Sequence, residues 1–346
     1  MERAILHLNT KRCIDLYLLQ KRRLVHIPPI EWLGLERQGG LTSEVMKNMT
    51  IQIGIELEMT NITGNEVVAA ITEAGAECYP AICGYHAGPS ADSGQWKMES
   101  DSSLNGRTAT MTEKGCIEVI SPILYGADGV KTLNRILTRI NRAGAQVDRS
   151  CGTHISVGVN HKARWNAMTD EMKMERVNQL IRVYQHFLPI FDGMSPNCRN
   201  AARNPYVGVP RESYMGRTAI NIGQYIQYGR IEFRQPGFTL SKDKIGLWLA
   251  IINKMVSMML NENHRSAGLV LEDQPVTVDS FATYLGLPLA RREQLRARIL
   301  ELYNNHREGR VERLAVLSSE VECICCGAPF TAEVVGENIC NDEGCF

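Results

Sequence analysis

The sequence has no surplus of either charge: 38 Lys plus Arg are balanced by 38 Asp plus Glu in 346 residues. A zero balance gives no general footprint for a nucleic-acid backbone or an anionic membrane, so neither is expected as a partner. Long apolar runs are missing too. The strongest stretch, Ile245 to Leu260, carries Lys254 and is too short for a span, which suits a core helix instead. MERAILHLNTKRC lacks the basic start, apolar core and small-residue cleavage site of a secretory leader, and a cytoplasmic protein is expected.

The 11 cysteines make no disulfide framework. Cys13, Cys78, Cys83, Cys116, Cys151 and Cys198 are scattered, as expected of small buried hydrophobes in a reducing compartment. Nor is there an internal repeat, a GxxxxGK[ST] or GxGxxG phosphate loop, a GxSxG elbow or an HExxH helix. A nucleotide would therefore need a binding surface other than a glycine-rich loop at a helix N-terminus.

What the sequence does have is alternation. Ile51 to Met59, Gln95 to Asp101, Cys116 to Ser121, Thr153 to Val159 and Arg230 to Gln235 read as strands. Helical patterns cover Glu66 to Ala74, Gly129 to Ala143, Asp170 to Phe191, Lys242 to Glu262 and Leu289 to Asn304. Ala81 to Gly94 reads as a long loop, and Met194 to Gly216, with Arg199, Arg203 and Arg211, as a loop that closes over a site. Short strands with charge on one face do not suit a parallel sheet buried on both sides, so an α+β fold on an antiparallel sheet is expected.

Strand side chains alternate between two faces, and here every strand sorts the same way. Ile51, Ile53, Ile55, Leu57 and Met59 oppose Glu56 and Glu58; Trp96 and Met98 oppose Lys97, Glu99 and Asp101; Ile117 and Val119 oppose Cys116 and Glu118. Ile155 and Val157 oppose His154 and Ser156, while Ile231 and Phe233 oppose Arg230, Glu232 and Arg234. One wet face thus collects six carboxylates, Glu56, Glu58, Glu99, Asp101, Glu118 and Glu232, which repel one another unless a cation intervenes. Magnesium or manganese prefers such oxygen ligands, and Glu56 and Glu58, about 7 Å apart on one strand, can share a site. Lys97, His154, Arg230 and Arg234 are candidates for phosphate oxygens or a developing anion. Cys151 and His154 fall on opposite faces, which disfavours a Cys/His nucleophile, and Cys116 sits among carboxylates that discourage a thiolate.

The ordered motifs GIELE (54–58), WKMESDSSL (96–104), EVISPIL (118–124), GTHISVG (152–158), GRTAINIGQY (216–225) and IEFRQPGFT (231–239) resemble the amidoligase family. That family is related to the glutamate–cysteine ligase and glutamine synthetase superfamily. The resemblance implies a curved antiparallel sheet using ATP and a divalent metal to join a carboxylate to an amine through an acyl phosphate. It implies Glu56, Glu58, Glu118 and Glu232 as metal ligands, with Glu99, Asp101 and Asn221 lining the cofactor site. On the phosphate side it implies His154, Arg230 and Arg234. The chain departs from the family where Ser156 replaces a second histidine and where Gly237, Phe238 and Thr239 stand for a Gly–Thr pair. The expected organisation is a lead-in over 1–48, a catalytic domain over 49–310 and a cysteine-rich segment over 320–346.

Expected partners are a carboxylate substrate and an amine acceptor, an amino acid, peptide or protein, with homo-oligomerisation left open. The competing readings are a metal-dependent phosphotransferase or phosphohydrolase, and a non-catalytic interaction protein on a ligase scaffold. A separate zinc site is expected in the last segment. Cys323 and Cys326 form a C-x2-C pair, Cys340 and Cys345 a second pair with four residues between, and four thiolates can close a tetrahedron of structural zinc. Cys325 leaves room for a ligand exchange, a free thiol or a disulfide.

Overall fold

The computed structural model describes residues 51–199, 204, 207–214, 217–260, 270–307, 320–322 and 329–331. The expected lead-in at 1–48 and the four candidate zinc thiolates lie outside these residues. Among the described residues no helix is long and apolar enough to cross a membrane.

Strand β1 (Gln52–Ile62) is the centre of an eight-stranded sheet. It is followed by α1 (Gly64–Glu73), β2 (Cys78–Cys83), β3 (Trp96–Glu99), β4 (Gly115–Ile120), β5 (Leu124–Tyr125) and α2 (Gly126–Arg142). Next come β6 (Thr153–Gly158), the short α3 (Ala163–Asn166), α4 (Asp170–His186), α5 (Leu188–Gly193), β7 (Ile220–Asn221), the short α6 (Tyr225–Tyr228) and β8 (Arg230–Phe233). Helices α7 (Lys242–Leu260), α8 (Val278–Tyr284) and α9 (Leu289–Arg307) precede a separate hairpin, β9 (Glu320–Glu322) and β10 (Pro329–Thr331). The sheet order is β2-β3-β4-β1-β6-β8-β7, with β5 pairing the start of β1.

All five expected strands are present, and every pairing among them is antiparallel. The sheet as a whole is mixed, which corrects the antiparallel expectation: β2 runs parallel to β3. Cys78 to Cys83 was not expected as a strand and overlaps the start of the expected loop. CYPAIC is an edge strand with Pro80 at an edge position and little burial, so it shows no alternation of apolar residues. The two-residue strands β5 and β7 are too short to leave a period.

Helix α1 starts at Thr63, whose hydroxyl accepts from Glu66 N–H while the Glu66 carboxylate accepts from Thr63 N–H, a reciprocal cap. Gly75, at φ +81°, follows its end, a backbone conformation that favours glycine. The expected single helix from Asp170 to Phe191 is two. Pro189 lacks the N–H that a continuous helix needs and clashes with the turn before it, so the chain breaks at Phe187 and Pro189 falls in the first turn of α5. The apolar faces of β1, β3, β4, β6 and β8 join the buried stripes of α1, α2, α4 and α7 in one core. The helices therefore cover one face of the sheet, and the charged side chains lie on the other.

Candidate metal and phosphate site

Register decides which charges meet. Glu99 of β3 lies opposite Glu118 of β4, and Glu118 lies opposite Glu58 of β1, so three carboxylates form a row across three strands. In the next row Glu56 of β1 faces His154 of β6. In the last, Ser156 of β6, Glu232 of β8 and Asn221 of β7 are aligned.

His154 is buried and is the hub. Its Nδ1 lies 2.8 Å from Glu56 Oε2 and 3.6 Å from Glu232 Oε1, and its Nε2 lies 3.5 Å from Glu58 Oε1. Arg234 Nη1 donates to Glu232 Oε1 at 2.6 Å, and Asn221 Nδ2 to Glu232 Oε2 at 2.9 Å. Burial pushes the Glu56 carboxyl up, but its bond to His154 and the charges of His154, Arg234 and Arg230 outweigh that and hold it below the ordinary value.

Glu118 is the opposite case. Burial, then the charges of Glu56, Glu58, Asp101 and Glu99, push its carboxyl up to about 9. Such an uncompensated pocket of acid suits a hard cation. Two trios have the geometry for it: one ligand atom each from Glu56, Glu118 and His154, and one each from Glu58, Asp101 and Glu118, lie within 4.8 Å of one another. Oxygen-rich donors with a single imidazole match magnesium or manganese better than a thiolate-seeking metal.

Glu99 and Lys97 are drawn elsewhere. Lys97 Nζ sits 2.6 Å from Glu99 Oε1 and donates to the Ala87 carbonyl at 2.9 Å, while His86 N–H donates to Glu99 Oε2 at 2.8 Å. The fully buried Glu99 is thus neutralised within the protein and anchors the 84–90 loop at the edge of the face. From this loop Tyr85 feels the site: burial, then the charges of Asp101 and Glu118, push its phenol up. Arg230 lies at the exposed end of β8. Cys151 is buried and its thiol is pushed up by burial, as is that of Cys116, in keeping with packing roles.

The residue that sequence reasoning left unassigned is Arg199. It ends a 3-10 turn, Asn197–Arg199, in the loop expected to close over the site, and its Nη2 reaches Glu58 Oε2 at 3.3 Å. The same oxygen accepts from Gly152 N–H at 2.5 Å. Periodicity cannot find such a residue, because its side chain arrives from a loop with no repeat.

Residues 49–187 match a family model described as "Putative amidoligase enzyme". That segment is similar to the amidoligase family. The amidoligase match spans β1 to α4 and so includes Glu56, Glu58, Glu99, Asp101, Glu118 and His154; β8, with Glu232 and Arg234, lies beyond it and is joined to it by pairing with β6. A solved structure named "Crystal structure of novel glutamine synthase homolog" is similar at 12% identity and a TM-score of 0.36, over 76% of this chain and 68% of that one. No curated protein matches the sequence. A cavity of about 470 Å³ lies on the outer side of α2, lined by Lys131, Arg135, Arg139, Arg142 and Lys242 among others, away from these carboxylates.

Proposed function

We propose that the charged face is the active face of an ATP- and magnesium-dependent ligase that joins a carboxylate to an amine through an acyl phosphate. The observation that carries the reading is the pair of ligand trios sharing Glu118, one of them including His154, set beside Arg234 on the sheet face opposite the helices. Glu56, Glu58 and Glu118 would hold the cation, with Asp101 beside them. Bound magnesium supplies positive charge for phosphate oxygens at this site. Glu232 is oriented by Arg234 and Asn221 and completes the acidic wall. Arg234 and Arg230 offer guanidinium forks for phosphate or for the carboxylate being activated. The amidoligase match over residues 49–187 supports amide synthesis over other uses of the same groups.

The test is a screen of amino acids, polyamines and peptides for acceptor-dependent ADP formation by the full chain with ATP and magnesium, followed by mass analysis. A product equal to carboxylate plus amine less water supports the ligase. Phosphate release that ignores every acceptor indicates a phosphotransferase or phosphohydrolase, and no nucleotide turnover at all indicates a binding protein on a ligase scaffold.

The C-terminal cysteines are a second, independent part of the reading, with structural zinc on Cys323, Cys326, Cys340 and Cys345. The spacing of the four cysteines carries this reading. Elemental analysis after reconstitution under reducing conditions should find about one zinc per chain. That zinc should be lost on Cys323→Ser plus Cys340→Ser, while ADP formation persists.

A further inference from the structure

Resting on the metal-site reading above, we infer that Arg199 is a positioning residue for Glu58 and that Gly152 exists to admit it. Glu58 is only 3% exposed and stands among other acids: Glu118 is its register partner, and one ligand atom each from Glu58, Asp101 and Glu118 lie within 4.8 Å. Left to repulsion, its carboxylate would swing away from them. Two donors stop it. Gly152 N–H and Arg199 Nη2 both take Oε2, at 2.5 and 3.3 Å, which leaves Oε1 on the side of His154 Nε2. A carboxylate clamped by one oxygen presents the other in a fixed direction, as supporting hydrogen bonds do for metal-ligating acids.

The clamp depends on a missing side chain. A Cβ on Gly152 would lie 1.3 Å from Arg199 Nη2 and 2.2 Å from Cζ, so the guanidinium occupies the place that any other residue would fill. Gly237, bridged to Gly152, plays the same part for the turn that delivers Arg199: a Cβ there would meet Pro196 Cγ at 2.6 Å and Cδ at 2.7 Å. Two facing glycines thus seat the 196–199 turn against the end of β6. Arg199 is 4% exposed, and its Nε–H has no hydrogen-bond partner among the described residues. An imperfectly satisfied buried cation is costly, which argues that its pairing with Glu58 is what retains it.

The sign of one measurement separates positioning from simple charge. A cation beside a metal site repels the metal, so if Arg199 acted by charge alone, Arg199→Met would tighten Mn²⁺ binding. Positioning predicts the reverse: Arg199→Met weakens Mn²⁺ about 10–100-fold by paramagnetic resonance titration of the full chain. Arg199→Lys keeps the charge without the fork and should fail to restore the affinity. Gly152→Ala tests the slot without metal or turnover. It should lower the thermal midpoint markedly in the wild type, yet lower it far less when combined with Arg199→Ala, a coupling that arises only if the two groups compete for one space. Unchanged or tighter Mn²⁺ binding in Arg199→Met, additive midpoints in the cycle, or a wild type that binds no Mn²⁺ each overturns the inference. Metal binding that behaves as expected without amide formation from any acceptor would instead sink the ligase reading and leave the clamp standing.

Discussion

Glu58 of β1 and Glu118 of β4 face each other across an antiparallel ladder, two buried acids in direct register. Like charges opposed in this way destabilise a sheet. The protein meets the problem unequally: Glu58 is clamped by Gly152 and Arg199, whereas Glu118 is pushed up to about 9. Glu118→Gln therefore imitates the protonated form. Below about pH 4.5 the metal-free variant should match the wild type, and at pH 7 it should be the more stable of the two, because only the wild type must hold in its folded state a proton that its unfolded chain releases. Its Mg²⁺ affinity should nonetheless fall more than about tenfold. Thermal melts with and without magnesium check both halves.

The same group sets a pH dependence. Its folded value of about 9 lies above the ordinary 4.5, so the folded chain keeps a proton that the unfolded chain releases. Stability from this source is complete below 4.5 and is lost as pH rises through about 9. Metal-free wild type should thus lose stability to alkali across that window, and Glu118→Gln should lack this component of the slope. Binding a cation must expel the proton, so Mg²⁺ affinity should rise with pH, by up to about tenfold per unit below the folded value. Calorimetric titrations in buffers of different ionisation heat read the released proton directly.

Glu56 and Glu58 test the metal assignment itself. Gln keeps size and hydrogen bonding but removes the charge, and each single substitution should cut turnover about 100-fold or more while the melting curve stays cooperative. The loss should be steepest at limiting magnesium. Wild-type rates in both variants under that condition would remove these two acids from the site.

Much of this face is legible in the sequence because strand alternation is a strict two-fold code. Once Ile53, Ile55 and Leu57 are assigned to the core, Glu56 and Glu58 must share the other side, and the same holds for Glu118, His154 and Glu232. What alternation cannot supply is the partner along the ladder. The pairing of Lys97 with Glu99 and the Ala87 carbonyl depends on a loop folding back over β3. Arg199 is invisible for the same reason. The break at Phe187 was within reach, since Pro189 marks it, but the apolar spacing on both sides runs on as if the helix were continuous. Edge strand β2 carries too little burial to leave a pattern.

Arg234 gives the sharpest distinction between charge and shape. Its Nη1 donates to Glu232 Oε1 at 2.6 Å, and the same carboxylate accepts from Asn221 on its other oxygen, so the guanidinium is held in a defined plane beside His154. A guanidinium carries several donors in one rigid plane, which matches carboxylate and phosphate oxygens, and Nη1 is the one that Glu232 takes. Lysine lacks that plane. Arg234→Lys should therefore keep the fold, because the ion pair to Glu232 survives, yet lower kcat about 10²- to 10³-fold, the range seen when one donor to a developing anion is lost. Arg234→Met should lose stability as well, since it leaves one oxygen of the buried Glu232 without its cation. Steady-state kinetics and melting curves for the two variants, side by side, decide it: wild-type kinetics in Arg234→Lys would show that only the charge matters, and equal melting temperatures for Lys and Met would show that the pairing with Glu232 contributes nothing to the fold.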